Sequence, residues 1–197
     1  QNDESDQVKC TKILQIIINS IQSNNASKFN FNLKITSEDF NETQSGYAII
    51  KNNQFYYKTS EREVTCDGEN VWTYIIEDNE CYIDLLKDLE NTINPSDLFN
   101  MWEDGFKFKY VKKENLNNEL FHTIKMFPKN PNESNYHTVI MNVNETKKTI
   151  KEASIKSKDG VTINMSISSL TANPPLTTSQ FTWNSNDYID VDEIDNR

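Results

Sequence analysis

The apolar positions near the start of the chain repeat with helical spacing. Cys10, Ile13, Leu14, Ile17 and Ile21 fall three and four residues apart, Ile16 and Ile18 widen the stripe, and the pattern predicts an amphipathic helix over Val8 to Ser23. Its many β-branched residues weaken it as an isolated helix, so it needs an apolar host. The acidic, polar stretch Gln1 to Gln7 before it is expected to be disordered. From Lys28 the period changes to two. Phe29, Phe31, Leu33 and Ile35 alternate with Asn30, Asn32, Lys34 and Thr36, a strand with one apolar and one wet face. Ser37 to Ser45 reads as a loop, and Tyr47–Ile50 with Gln54–Lys58 as a hairpin turning at Lys51-Asn52-Asn53.

The chain is organised around residues 64–85. Asp67-Gly68 separates two runs rich in β-branched and aromatic residues, a strong hairpin signal, because glycine tolerates the positive φ of a tight turn. On the middle strand Trp72, Tyr74 and Ile76 share one face, while Val71, Thr73 and Ile75 take the other. Asn94-Pro95-Ser96-Asp97 then opens a short apolar helix bearing Leu98, Phe99, Met101 and Trp102, with Gly105 as its stop. Alternation resumes from Phe106 to Tyr110, around Leu120, Ile124 and Met126, and over Tyr136–Val143 and Thr149–Ser157. The turn Lys158-Asp159-Gly160 leads into Val161, Ile163, Met165 and Ile167. After Pro174-Pro175, Gln180 to Trp183 reads as a last short strand before an acidic, solvated tail. All four glycines are expected at element boundaries.

These elements predict one mainly β (α+β) domain over residues 1–197. About ten antiparallel strands should curl toward an unclosed barrel, with two helices on its concave face. No apolar run approaches the roughly 18 residues of a membrane span. The chain starts at Gln1, as removal of a signal peptide or simple trimming would leave it. The formal charge of −10 and the scattered basic residues argue against a nucleic-acid surface.

Candidate chemistry is sparse. Cys10, Cys66 and Cys81 have no Cys-x-x-Cys spacing, so at most one disulfide can form, and Cys66 and Cys81, flanking the middle strand, are not expected to bond to each other. Sequons such as Asn41-Glu-Thr43 and Asn144-Glu-Thr146 are expected by chance in so Asn-rich a chain. His122 shares the face of Leu120 and Ile124 and reads as a structural histidine; an open cavity and a carboxylate beside it would revive an enzymatic role. Neither it nor His137 has a nucleophile motif nearby. There is no phosphate loop, and the Asp190–Asp195 run lacks the glycine and final glutamate of a calcium loop. The expectation is a protein that is not an enzyme and takes no metal or cofactor.

The run Cys66-Asp67-Gly68-Glu69-Asn70-Val71-Trp72-Thr73-Tyr74 resembles the Ser-Asp-Gly-Lys-x-hydrophobic-Trp-x-Tyr segment of the LolA family of periplasmic lipoprotein carriers. Gly46 to Lys51 with Phe55 is similar to that family's second hairpin, Asn94 to Phe99 to its Pro-led lid helix, and Gln180 to Trp183 with Val191 to Arg197 to its ending. The matches follow the family's order over nearly the whole chain.

The resemblance implies an unclosed barrel with an apolar cavity for lipoprotein acyl chains. A monomeric periplasmic carrier would take acylated lipoproteins from an inner-membrane releasing complex and deliver them to an outer-membrane acceptor. The candidate acyl-chain wall is Ile13, Leu14, Ile17 and Ile18 on the first helix, Phe31 and Leu33 on the first strand, Phe55, Trp72 and Tyr74 on the middle strands, and Leu98 and Trp102 on the second helix. A plain core would have the same composition. Where the family places a lid-latching arginine this chain has Lys51-Asn52-Asn53, leaving Asn52 as the substitute latch. The alternative is a lipid- or lipoprotein-sensing domain of the same fold that regulates a partner, as related sigma-factor regulators do.

Overall fold

The computed structural model describes residues 3–89 and 105–197. One α-helix, α1 (Asp3–Gln22), precedes twelve strands: β1 (Ser27–Thr36), β2 (Asn41–Lys51), β3 (Gln54–Thr59), β4 (Arg62–Cys66), β5 (Asn70–Ile75), β6 (Glu80–Leu85), β7 (Phe106–Leu116), β8 (Glu119–Pro128), β9 (Tyr136–Asn144), β10 (Thr149–Ser157), β11 (Thr162–Ala172) and β12 (Asp192–Asp195). They form one unclosed sheet in the order β12-β6-β5-β4-β3-β2-β1-β11-β10-β9-β8-β7. Every pairing is antiparallel except β12 with β6. β1 is the joint between two wings, pairing β2 on one side and β11 on the other, with an irregularity after Asn30 on the β11 side. The predicted second helix, at Asn94 to Trp102, lies outside the described residues.

Directly opposed residues share a face, so the register sorts the whole sheet. Phe29, Ala48, Tyr57 and Val64 form one row across β1–β4. On the second wing Tyr110, Ile124, Met141, Ala153 and Met165 form another. Against these rows α1 seats Cys10, Leu14, Ile17 and Ile18, all fully buried, in a single apolar cluster. This is the helix face. Ile16 and Val8, on the opposite side of α1, stay exposed.

The far face differs between the wings. On the first wing the chain after β11 crosses it as a strap: Trp183 and Tyr188 stack 4.3 Å apart, Tyr188 lies 4.6 Å from Tyr74, and Phe181 is buried. The Tyr188 hydroxyl donates to Glu63 Oε2 at 3.0 Å, and the Asn79 amide donates to the Ile189 and Asp190 carbonyls. β12 then closes the strap alongside β6, where Asn196 N–H donates to the Ile83 carbonyl and Arg197 to the Asn70 side chain.

Several local expectations are corrected. The helix begins at Asp3 instead of after a disordered Gln7, because its first turns are tied to the open edge of the sheet. Gln7 Oε1 accepts from the Phe108 N–H and its Nε2 donates to the Phe106 carbonyl, so one amide side chain satisfies the backbone groups that a neighbouring strand would otherwise pair. Asn41 to Ser45 belongs to β2, because β1 offers a full backbone ladder that outweighs polarity. Gln180 to Trp183 is not a strand but a turn in the strap, and the acidic tail supplies β12. Gly46 lies within β2 and not at a boundary: a Cβ there would sit 2.2 Å from the Lys58 carbonyl oxygen and 2.9 Å from the Phe31 ring. Among the described residues the sheet has twelve strands, and its unclosed, antiparallel-dominated form is as expected.

Candidate functional site

The helix face is apolar across both wings. Its main cluster contains Ile13, Leu14, Ile17 and Ile18 of α1 with Phe31 of β1, and Leu33 packs against it. Phe55 belongs to a second cluster with Val64, Cys66 and Val71; Ile50 and Tyr57 touch both, so the floor is continuous from β11 to β5. Leu86 and Leu89 pack against the second cluster just after β6. Seven of the proposed wall residues are thus brought onto one surface.

Others are not. Trp72 and Tyr74 alternate with buried Val71, so they lie on the far face, where Tyr74 meets Trp183 at 5.7 Å under the strap. The sequence showed that they share a face but carried no signal of which face α1 covers. Leu98 and Trp102 lie outside the described residues. Asn52 is exposed at the β2–β3 turn with φ 54°, a left-handed conformation that asparagine tolerates, and its neighbour Asn53 reaches the Gly68 carbonyl at 3.4 Å.

Sequence reasoning missed the wall supplied by the second wing. Phe106, Phe108, Ile124, Met126, Val139, Met141 and Met165 all join the main cluster under α1. Three of the chain's four methionines are among them. Their alternation was visible; their convergence on α1 depended on β1 pairing β11. Methionine has no branch and a polarisable sulfur, so this wall can repack around an irregular guest.

Where α1 meets β7, a polar chain interrupts the floor. The Tyr110 hydroxyl lies 2.8 Å from His122 Nδ1, and His122 Nε2 pairs with the Glu145 carboxylate. Lys9 Nζ sits 3.2 Å above the Tyr110 ring. His122 does have a carboxylate beside it, but it is 5% exposed and both ring nitrogens are engaged, so it satisfies its own burial. Nearby Cys10 is a protonated thiol, pushed up to about 11 by burial and by Asp6, against Lys9. All three cysteines are free and buried; Cys66 and Cys81 lie on opposite faces of the sheet. Among the described residues no group of His, Cys, Asp and Glu is placed to hold a metal ion. No described helix is long and apolar enough to cross a membrane.

On the far face, a shallow depression of about 240 Å³ lies between the strap and β2–β4. Tyr56, Glu63, Thr65 and Asp187 contribute to its lining. Burial alone would raise the Glu63 pKa, but the hydrogen bonds from Lys58, Tyr188 and Tyr56 outweigh it and hold the carboxyl below its usual value. Its polar lining suits no acyl chain.

Among solved structures, an uncharacterized conserved protein from Thermus thermophilus superposes with a TM-score of 0.64 at 8% identity, covering 95% of this chain and 99% of that one. A DUF1329 family protein from Desulfovibrio piger matches with a TM-score of 0.50 at 13% identity, over 89% and 97% of the two chains. The Mycobacterium tuberculosis lipoprotein LppX matches with a TM-score of 0.50 at 9% identity, over 86% and 98%. At these identities the likeness is one of fold. A search of curated protein sequences found no match. A family model described as outer membrane lipoprotein carrier protein LolA matches residues 22–184, well over half of the sequence, and the chain therefore belongs to the LolA family.

Proposed function

We propose that this protein is a periplasmic carrier that shelters the acyl chains of lipoproteins between α1 and the helix face of the sheet while they pass from the inner to the outer membrane. The observation that carries this reading is the continuous apolar floor from β11 to β5, roofed by a helix that is anchored by side chains and has no backbone ladder. Each acyl CH₂ left in water costs about 0.8 kcal/mol, so such a floor needs no further recognition chemistry to hold a lipid. Leu14, Ile17 and Ile18 already fill the space, so acyl chains enter by displacing α1, and the methionine-rich wall repacks around them. The cargo is released when α1 returns. Neither step uses a catalytic group or a cofactor.

The test is native mass spectrometry with a triacylated lipopeptide, followed by addition of acceptor membranes. A one-to-one adduct that leaves on addition of membranes is the expected result, with Ile17→Glu abolishing uptake and Trp72→Ala, on the far face, preserving it. Absence of an adduct, or equal loss from both variants, overturns the reading. An adduct retained in the presence of acceptor membranes indicates a lipid sensor instead of a carrier.

A further inference from the structure

The basic residues look scattered along the sequence, yet the fold gathers them. Residues 106–160, which build β7 to β10, hold eleven lysines, no arginine and six carboxylates, a net charge of +5; the rest of the −10 chain therefore carries −15. On the far face of this wing Lys109 of β7 stands directly opposite Lys125 of β8, which in turn faces Ile140 of β9. One step along, Lys107 faces Phe127, and Lys156 of β10 faces Thr138. Like charges directly opposed across a ladder are destabilising, so folding gives no reason for the Lys109–Lys125 pair. Among the described residues Lys107, Lys109, Lys125 and Lys156 make no ion pair, whereas Lys112 and Lys147 of the same wing pair with Glu114 and Glu119. Among the described residues the strap lies on the first wing, where it meets Glu63, Tyr74 and Asn79 and borders Tyr47, Tyr56 and Thr65.

We infer that the far face of β7–β10 is a docking surface for anionic phospholipid bilayers. Four unpaired ammonium groups alternate with half-buried Phe127 and Ile140, the composition that settles at a headgroup boundary, where lysine stems lie along apolar surface while their charges meet phosphates. An acidic protein is repelled by an anionic bilayer unless it turns such a face toward it, so the charge segregation also sets orientation. The inference rests on the proposed carrier function, for which it supplies the surface that meets the membrane, but bilayer binding is measurable without cargo.

Cosedimentation with vesicles of phosphatidylcholine alone and of phosphatidylcholine mixed with phosphatidylglycerol, in low and high salt and without lipopeptide, tests it. The wild type should pellet with the anionic vesicles in low salt and be released by high salt. K109Q/K125Q should lower the partition roughly 25-fold, about fivefold per lysine. K12Q/K87Q, with the same change in net charge outside the patch, should leave it unchanged, and circular dichroism confirms that both variants are folded. Equal binding to neutral and anionic vesicles, equal loss from the two double variants, or no binding at all overturns the inference. Loss of lipopeptide uptake with vesicle binding intact would sink the carrier reading alone.

Discussion

Gln7 is the sharpest test of whether α1 is a movable roof. Its side chain makes two bonds to the open edge of β7, from the Phe108 N–H at 2.9 Å and to the Phe106 carbonyl at 3.2 Å. One amide orientation alone satisfies both, so Gln7→Ala removes the pair together. Each neutral hydrogen bond is worth about 1 kcal/mol net, and water can reach an edge strand, so the total is about 2 kcal/mol with no large desolvation penalty added. At 1.4 kcal/mol per factor of ten, local opening of α1 should become roughly 30-fold more frequent. The helix is not cut free, because Asp6 Oδ2 still accepts from the Tyr110 N–H at 3.3 Å and the apolar seat of Leu14, Ile17 and Ile18 is untouched. Native-state hydrogen exchange should therefore show faster exchange of the α1 amides with unchanged protection of β1 and β11. Lipopeptide uptake should accelerate in step. Unchanged α1 protection would refute the role of the amide bridge; faster opening with unchanged uptake would refute α1 as the gate.

Three further outcomes are expected. Gly46→Ala should destabilise by about 2 to 3 kcal/mol in chemical denaturation, since the new methyl meets backbone at the Lys58 carbonyl, which cannot yield as a flexible side chain would; a change below about 0.5 kcal/mol would contradict the close approach. Glu63→Ala should unpin the strap, lowering the melting temperature by several degrees and exposing Trp183 to quenchers, because Tyr56 and Tyr188 lose their common acceptor. The thiols should resist a disulfide reagent at neutral pH in the native protein and all three should react after denaturation: burial pushes Cys10 and Cys66 up to about 11 and Cys81 to about 12, from an ordinary 9.0. These pKa values are raised on folding, so stability is undiminished below pH 9 and falls as pH rises through 9 toward 12; a denaturation midpoint that climbs over that window would contradict the burial.

Much of the fold is legible in the sequence because element type is a local property. The stripe of Cys10, Ile13, Leu14, Ile17 and Ile21 dictates a helix, and the alternation from Phe29 to Ile35 dictates a strand, through the periods at which side chains leave each backbone. The Asp67-Gly68 turn follows from glycine's tolerance of φ 102°. Along β5 the same alternation fixes that Trp72 and Tyr74 share a face.

What the tertiary structure decided is which face. A sheet's two sides are equivalent until something covers one of them, and that depends on pairings remote in sequence: β1 with β11 brings the methionine wall beneath α1, and β12 with β6 draws the strap over Tyr74. Pairing, by β1 with β2 and by β6 with β12, also turned polar segments into structure. Asn41 to Ser45 and Asp192 to Asp195 have no apolar period, and only a waiting row of backbone donors and acceptors makes them strands. Gln7 holds α1 because β7 is left as an edge, and Lys109 meets Lys125 because β7 and β8 pair in one register. Local periodicity determined which residues travel together; long-range pairing determined what they meet.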